Sequence, residues 1–218
     1  MSEPIPAATV VLARDADEGI EVLMLRRSSR GAFGGMWVFP GGQVDPEDQA
    51  ADEMATARRA AVREASEEAG LVIDAEGLVP FSHWIPPPQA PKRFSTWFFL
   101  APAPAVHDVN VDGAEIRDHE WHRPADAVAL RDRGEIELAP PTWVTLWRLA
   151  QAASVDEAVA QARARPPLRF ETHIANDGDV MVATWVGDAA YDDGDLEKPG
   201  PRHRLSMLPD GWRYESTI

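Results

Sequence analysis

The sequence predicts an α/β fold: an α/β sandwich with a mixed sheet over residues 1–150, followed by a C-terminal α+β extension over residues 151–218. Three observations carry this. Short apolar runs rich in β-branched residues flank one alanine- and glutamate-rich helical stretch in the first half. Helix-forming segments cluster between residues 124 and 165. Short strand-like runs joined by Asp-Gly turns then close the chain.

Taken in order, residues 7–13, AATVVLA, read as a buried strand, and residues 20–26, IEVLMLR, as its hairpin partner across a polar turn. A glycine-rich stretch follows, with five of the 15 glycines between Gly31 and Gly42. Inside it Trp37 to Phe39 form a short strand stopped by Pro40, and Pro40-Gly41-Gly42 read as a turn. Asp45-Pro46 looks like a helix start. The main helix runs from about Asp52 to Ala69, with Gly70 as its stop. Strands are expected near 71–73, 79–84, 93–100 and 119–121, with Ile85 to Pro91 as a stiff extended link. Helices are expected over 124–133 and 141–152. Ser154 to Glu157 form a capping box for another helix that ends before Pro166. Residues 168–174, 179–186 and 202–214 read as strands, turning at Asn176-Asp177-Gly178 and Pro209-Asp210-Gly211.

Composition narrows the function. The 218 residues hold 21 Lys plus Arg against 36 Asp plus Glu, a net charge of −15. Such an excess argues against a nucleic-acid or anionic-membrane binder and leaves room for a cation site. The absence of Cys excludes disulfides, thiolate zinc sites and Cys nucleophiles. The six His show no zinc spacing and read as structural. No basic-then-apolar leader, membrane-length apolar run or peroxisomal tag is seen, so a cytoplasmic location is expected.

The most informative residues are Arg63 to Leu71, R-E-A-S-E-E-A-G-L. With Glu64 at 0° on a helix, Glu67 and Glu68 fall at roughly 300° and 40°, whereas Val62, Ala65 and Ala69 fall at roughly 160°, 100° and 140°. Three carboxylates thus share one side and an apolar stripe takes another. Like charges so close repel unless neutralised, and a hard divalent cation with oxygen ligands does that. The alternative is a solvated acidic face.

Phe39-Pro40-Gly41-Gly42 followed by this segment resembles the Nudix box, G-x5-E-x7-R-E-U-x-E-E-x-G-U, where U is aliphatic. Counted forward from Gly42, the first Glu slot falls on Asp48; counted back from Arg63, it falls on Ala55. The box is therefore lengthened by seven residues. Glu53 points the right way but lies roughly 16 Å along a continuous helix from Glu64, so, unless the helix breaks, Glu53 and Asp48 read as surface groups. The lengthened box, with L-M-L-R-R-S upstream and K-R-F-S-T-W-F-F-L downstream, is similar to the coenzyme A diphosphatase-like group.

The resemblance implies a Nudix-type α/β/α sandwich and a Mg²⁺- or Mn²⁺-dependent hydrolase of a diphosphate joining a nucleoside to another group. Glu64, Glu67 and Glu68 would be its metal-binding and catalytic carboxylates. Arg63 would brace them, and Gly41 and Gly42 would let backbone pass close to helix and metal. Glu115 is a candidate further carboxylate, with Asp118 and Glu120 as competitors. Arg93, Phe94 and Trp37 are candidate substrate contacts, against ordinary surface or core roles. Pro201 to Arg204 are the only basic spot in an acidic tail.

The substrate implied is coenzyme A or an acyl-CoA. ADP-ribose, nucleotide sugars, dinucleotides and nucleoside triphosphates are alternatives. A nucleotide-type small molecule is the expected partner, without nucleic acid or membrane, and the extension could pack on the first domain or form a homodimer interface. Rival readings are a non-catalytic nucleotide-sensing domain or a scaffold. The intact box opposes both, and residues 171–218, with 10 acidic and 4 basic residues, carry no DNA-recognition pattern.

Overall fold

Alternation along two long strands decides the layering. In β1 (Ile5–Ala16) and β2 (Gly19–Arg27), Ala8, Val10, Leu12, Leu23 and Leu25 point to one face of the sheet, whereas Val11, Ala13, Val22 and Met24 point to the other. Each face is apolar, so each must be covered. The computed structural model describes residues 3–28, 34–104, 109–111 and 115–218. Residues 29–33 of the glycine-rich stretch, Gly31 among them, lie outside that set.

The main sheet has eight strands. Its path is β3 (Trp37–Val38), β2, β1, β6 (Phe94–Pro102), β5 (Val79–Ile85) and β8 (Leu168–Glu171). Off this path, β4 (Gly41–Gln43) pairs with β1 and β7 (Ile116–His122) with β2. The β1–β6 and β5–β8 pairs are parallel and the rest antiparallel, so the sheet is mixed.

Helix α1 (Glu53–Ala69) covers the first face. Its buried stripe is Ala57, Ala60, Ala61, Ala65 and Ala69. Methyl side chains let the helix axis settle close to the sheet, which brings its carboxylate edge near β4. Asp52 caps its start by accepting from Ala55 N at 2.8 Å, and Gly70, at φ 67°, ends it.

The second face is covered by α2 (Pro124–Asp132), α3 (Pro140–Leu149) and α4 (Val155–Arg163), the last capped by Ser154 Oγ, which accepts from Glu157 N at 3.2 Å. A smaller antiparallel sheet packs there too, in the order β12 (Gly211–Ser216), β11 (His203–Leu208), β10 (Val180–Thr184), β9 (His173–Asp177). Trp185, Leu205 and Tyr214 join Trp84, Trp143 and Phe170 in one core.

Two local expectations change. Residues 71–73 are not a strand: Leu71 N donates to Ala65 O as part of the helix ending, and Val72 is exposed. Pro40-Gly41-Gly42 is not a free turn, because Gly41 to Gln43 pair with Thr9 to Ala7. The helical turn expected at Asp45-Pro46 is present as a single 3₁₀ turn, Pro46–Asp48, and the chain breaks before α1.

Candidate active site

Glu64, Glu67 and Glu68 emerge from the last two turns of α1 toward β4 and β2. Glu68 is buried. Its Oε2 accepts from Gly41 N at 2.9 Å and its Oε1 from Arg27 Nη1 at 3.3 Å. Burial raises the Glu68 carboxyl pKa to about 7, with the Gly41 N–H and Arg27 pulling the other way. Glu64 is pressed against Gly42: a Cβ there would lie 2.3 Å from Glu64 Oε1. A Cβ on Gly41 would lie 2.4 Å from Thr9 Oγ1 and 2.5 Å from Ala8 O. Gly41 therefore requires glycine, because backbone atoms stand in the way, whereas a side chain at position 42 would displace the Glu64 carboxylate. Burial also pushes the Glu64 carboxyl above its ordinary pKa, against the pull of Arg63.

Arg63 is the hub. Its Nη1 reaches Glu64 at 2.9 Å and Glu67 at 2.8 Å. Its Nη2 reaches Asp48 at 2.9 Å and the Gln43 carbonyl at 2.9 Å, and Asp45 lies 3.6 Å away. Asp48, with Glu64 and Glu67 behind it, holds the guanidinium pKa above its ordinary value.

The break before α1 settles the place of Asp48. This residue is only 4% exposed, not a surface group. Burial alone would raise its carboxyl, but the Arg63 fork and the Asp45 N–H outweigh that and hold it below the usual range. The count forward from Gly42 had pointed at it; the missing piece was that Asp48 sits on a 3₁₀ turn folded back over α1. Glu53 is exposed as expected and accepts from Trp97 Nε1 at 2.8 Å.

Arg27 was missed by sequence reasoning. It sits between Glu68 and Glu115, 3.0 Å from Glu115 Oε2. A signal existed: Leu23, Leu25 and Arg27 occupy every second position of β2, so Arg27 must face α1. Glu115 is thereby joined to the helix cluster, with its side chain 67% exposed. Its competitors are engaged on β7, Asp118 with the His119 N–H and Glu120 2.9 Å from His122 Nε2.

Residues 3–147, this whole arrangement included, match the NUDIX domain. The chain belongs to the Nudix family. It is therefore a hydrolase of phosphorus-containing anhydrides. The putative nudix hydrolase 7 of Caenorhabditis elegans is 26% identical over 231 residues, covering 88% of this chain and 77% of that protein. The crystal structure of a NUDIX hydrolase from Alicyclobacillus acidocaldarius aligns with TM-score 0.67 and 25% identity over 73% of this chain and 97% of that one. The NUDIX domain of Shewanella oneidensis NrtR, solved with ADP ribose, shares the fold with TM-score 0.52 and 20% identity over 69% of this chain and 88% of that one.

Nudix enzymes generally use divalent metal ions, and the donor chemistry here fits one. Among the described residues six carboxylates, Asp45, Asp48, Glu64, Glu67, Glu68 and Glu115, form ion pairs with Arg63 and Arg27, and Arg59 adds a longer-range attraction at Asp48. The donors are oxygens, which suit a hard cation. Among the described residues no three Asp, Glu or His side chains already converge as a metal cage, because the box carboxylates lean on the arginines.

Other candidates lie apart from this Nudix cluster. Trp37 is buried in the core on the opposite face, edge-on to His122 at 5.3 Å. Arg93 donates to the Pro86 carbonyl, and Phe94 lies under Lys92 Nζ at 4.8 Å. Both stand at the start of β6, and Arg93 lines a cavity beside the N-terminal half of α1. In the basic spot of the tail, Arg204 is buried and bidentate to Asp188. Arg202 donates to the Lys198 and Gly200 carbonyls. The fold itself uses both arginines. Among the described residues no helix is long and apolar enough to cross a membrane.

Proposed function

We propose that this enzyme hydrolyses the diphosphate of a nucleoside diphosphate linked to a second group, with Mg²⁺ or Mn²⁺ held by Glu64, Glu67 and Glu68. The supporting observation is the surplus of carboxylates over arginines among the described residues on one helix edge, set against Gly41, which has no room for a side chain, and Gly42, which abuts the Glu64 carboxylate. A bound cation would neutralise phosphate oxygens and acidify the attacking water. The chain's own residues do the rest. Arg63 holds Glu64 and Glu67 in register with Asp48, the Gly41 N–H fixes one oxygen of Glu68, and a carboxylate of the set takes the water's proton. Arg27 links Glu115 to that set.

Coenzyme A or an acyl-CoA is the favoured substrate, on the lengthened box and its flanking segments. The products would be 3′,5′-ADP and 4′-phosphopantetheine or its acyl form. A panel with Mg²⁺ and Mn²⁺ tests this: coenzyme A, acetyl-CoA, ADP-ribose, nucleotide sugars, dinucleotides and nucleoside triphosphates. Rapid cleavage of ADP-ribose with none of coenzyme A overturns the substrate. Wild-type turnover by Glu67→Gln or Glu68→Gln overturns the site. In this proposal residues 1–150 form the catalytic domain of a cytoplasmic enzyme, and residues 151–218 are an extension that could also serve a homodimer.

A further inference from the structure

Between the N-terminal half of α1 and the strands β5, β6 and β8 lies an open cavity of about 780 Å³, in the size range of small-molecule sites. The three box carboxylates do not line it. Two departures from a minimal family domain build its walls. Gln49, Ala50, Asp52 and Glu53 belong to the stretch by which the box is lengthened, and Arg169 and Glu171 belong to β8, beyond the family match that ends at residue 147.

The walls are fixed before any ligand arrives. Ala50 N donates to Thr56 Oγ1 at 3.1 Å, and Arg59 Nη1 to the Gln49 carbonyl at 2.7 Å. The buried His83 ring stacks on Trp97 at 4.2 Å and an interplanar angle of 3°, with Nε2 2.8 Å from Ser95 Oγ. An ordered, hydrogen-bonding lining costs a ligand little to occupy.

The cavity and the carboxylates share one side of α1. With Glu64 at 0°, the cavity-lining Glu53, Thr56 and Ala57 fall at roughly 340°, 280° and 20°, the arc that Glu67 and Glu68 also occupy. Along the axis they are separated by roughly 16 Å from Glu53 to Glu64. One backbone segment runs beside both, with Gly42 against Glu64 and Val44 in the cavity wall.

We infer that this cavity receives the distal group of the substrate, and that the group is an elongated, uncharged arm bearing hydrogen-bonding groups. This rests on the proposed placement of the diphosphate at the box carboxylates. Filling the cavity from its near wall at Ala57, roughly 10 Å along the helix from Glu64, to Glu53, roughly 16 Å away, takes an extended group, whereas a compact sugar would reach the near wall only. Charge excludes a further phosphate: Glu3, Asp52, Glu53 and Glu171 outnumber Arg93 and Arg169, and Arg169 already binds Glu171 at 3.0 Å. The Thr56 hydroxyl, His83 imidazole and Trp97 indole N–H already bond Ala50 N, Ser95 and Glu53, so the Gln49 amide and the carboxylate oxygens of Asp52 and Glu53 are the wall groups that suit amides and hydroxyls.

The test compares coenzyme A, whose arm is extended, uncharged and amide-bearing, with ADP-ribose, which ends in a compact sugar. Ala50→Trp and Gln49→Trp fill the cavity while leaving the backbone hydrogen bonds of both residues in place. Each is expected to lower the ratio of kcat/KM for coenzyme A over ADP-ribose at least tenfold, through KM for coenzyme A. Pantetheine, the arm alone, is expected to inhibit wild-type turnover of coenzyme A competitively, which keeps the test open if a variant does not fold. An unchanged ratio, non-competitive inhibition that marks a separate effector site, or cleavage of ADP-ribose but not coenzyme A each overturns the inference and leaves the hydrolase reading standing. If no member of the substrate panel is cleaved, the hydrolase reading fails and the inference falls with it.

Discussion

Two arginine–carboxylate clusters in this molecule behave in opposite ways. In the C-terminal lobe one buried Asp188 meets one Arg204 through two hydrogen bonds, at 2.8 and 2.6 Å, and the backbone N–H groups of Ala190 and His203 complete its shell. Burial works against that carboxylate, yet these donors outweigh it and hold its pKa down at about 2. On α1 the same residue types are out of balance. Among the described residues six carboxylates share ion pairs with two arginines, and burial wins at Glu68 and Glu64, whose pKa values rise. The difference separates a closed ion pair that holds a fold together from an open one that gains by acquiring positive charge.

Removing a carboxylate from each cluster breaks the comparison most directly. Glu68→Gln should lower Mg²⁺-dependent kcat by about 10²-fold or more, in line with the loss of a general base or a metal oxygen, while circular dichroism shows an unchanged fold. Asp188→Asn should have little direct effect on chemistry but cost about 3–5 kcal/mol of stability in urea unfolding, since it strands a buried guanidinium. If Glu68→Gln destabilises the metal-free protein as much as Asp188→Asn does, the two clusters are alike and the contrast is wrong.

The pH dependence of the metal-free protein should carry the same contrast. A carboxyl with a folded pKa of about 7 binds its proton more tightly folded than unfolded. Its contribution is therefore lost as pH rises from the ordinary carboxylate range through 7, on the order of 3 kcal/mol in all. Asp188 has the reverse sign: its contribution is present above the ordinary carboxylate pKa and is lost as pH falls toward 2. Urea midpoints at pH 5 and pH 8 in EDTA should show the alkaline loss, and Mg²⁺ or Glu68→Gln should remove it.

Smaller effects sharpen the picture. Gly42→Ala should displace the Glu64 carboxylate, whose Oε1 lies 2.3 Å from the new Cβ position. A fall in turnover with a raised Mg²⁺ requirement is expected. Arg27→Gln should leave the fold intact and remove the guanidinium contacts to both Glu68 and Glu115, a several-fold change in kcat with KM little altered.

How much of this was legible beforehand follows from the range of each interaction. The helix over Glu53–Ala69, its Gly70 stop and the shared face of Glu64, Glu67 and Glu68 are local, set by a period of 3.6 residues and a cap. The hairpin of β1 with β2 and the capped α4 are local too. The burial of Asp48 was not legible, because it depends on a 3₁₀ turn packing against a side chain 15 residues later. Arg27 reaches Glu68 across 41 residues and Glu115 across 88, so only the facing rule for alternate strand positions hinted at it. Arg204, exposed by composition, is buried by a partner 16 residues earlier.

By itself, then, the sequence determined the layered α/β class, the acidic helix edge and the glycines that let a strand run beside it. All are consequences of helix and strand period and of side-chain size. Only the tertiary structure decided which arginines those carboxylates meet. It also decided that the lengthened box and β8 close around a cavity, and that the tail's basic residues serve the fold. Those outcomes depend on segments far apart in the chain coming together, and no local pattern encodes such a meeting.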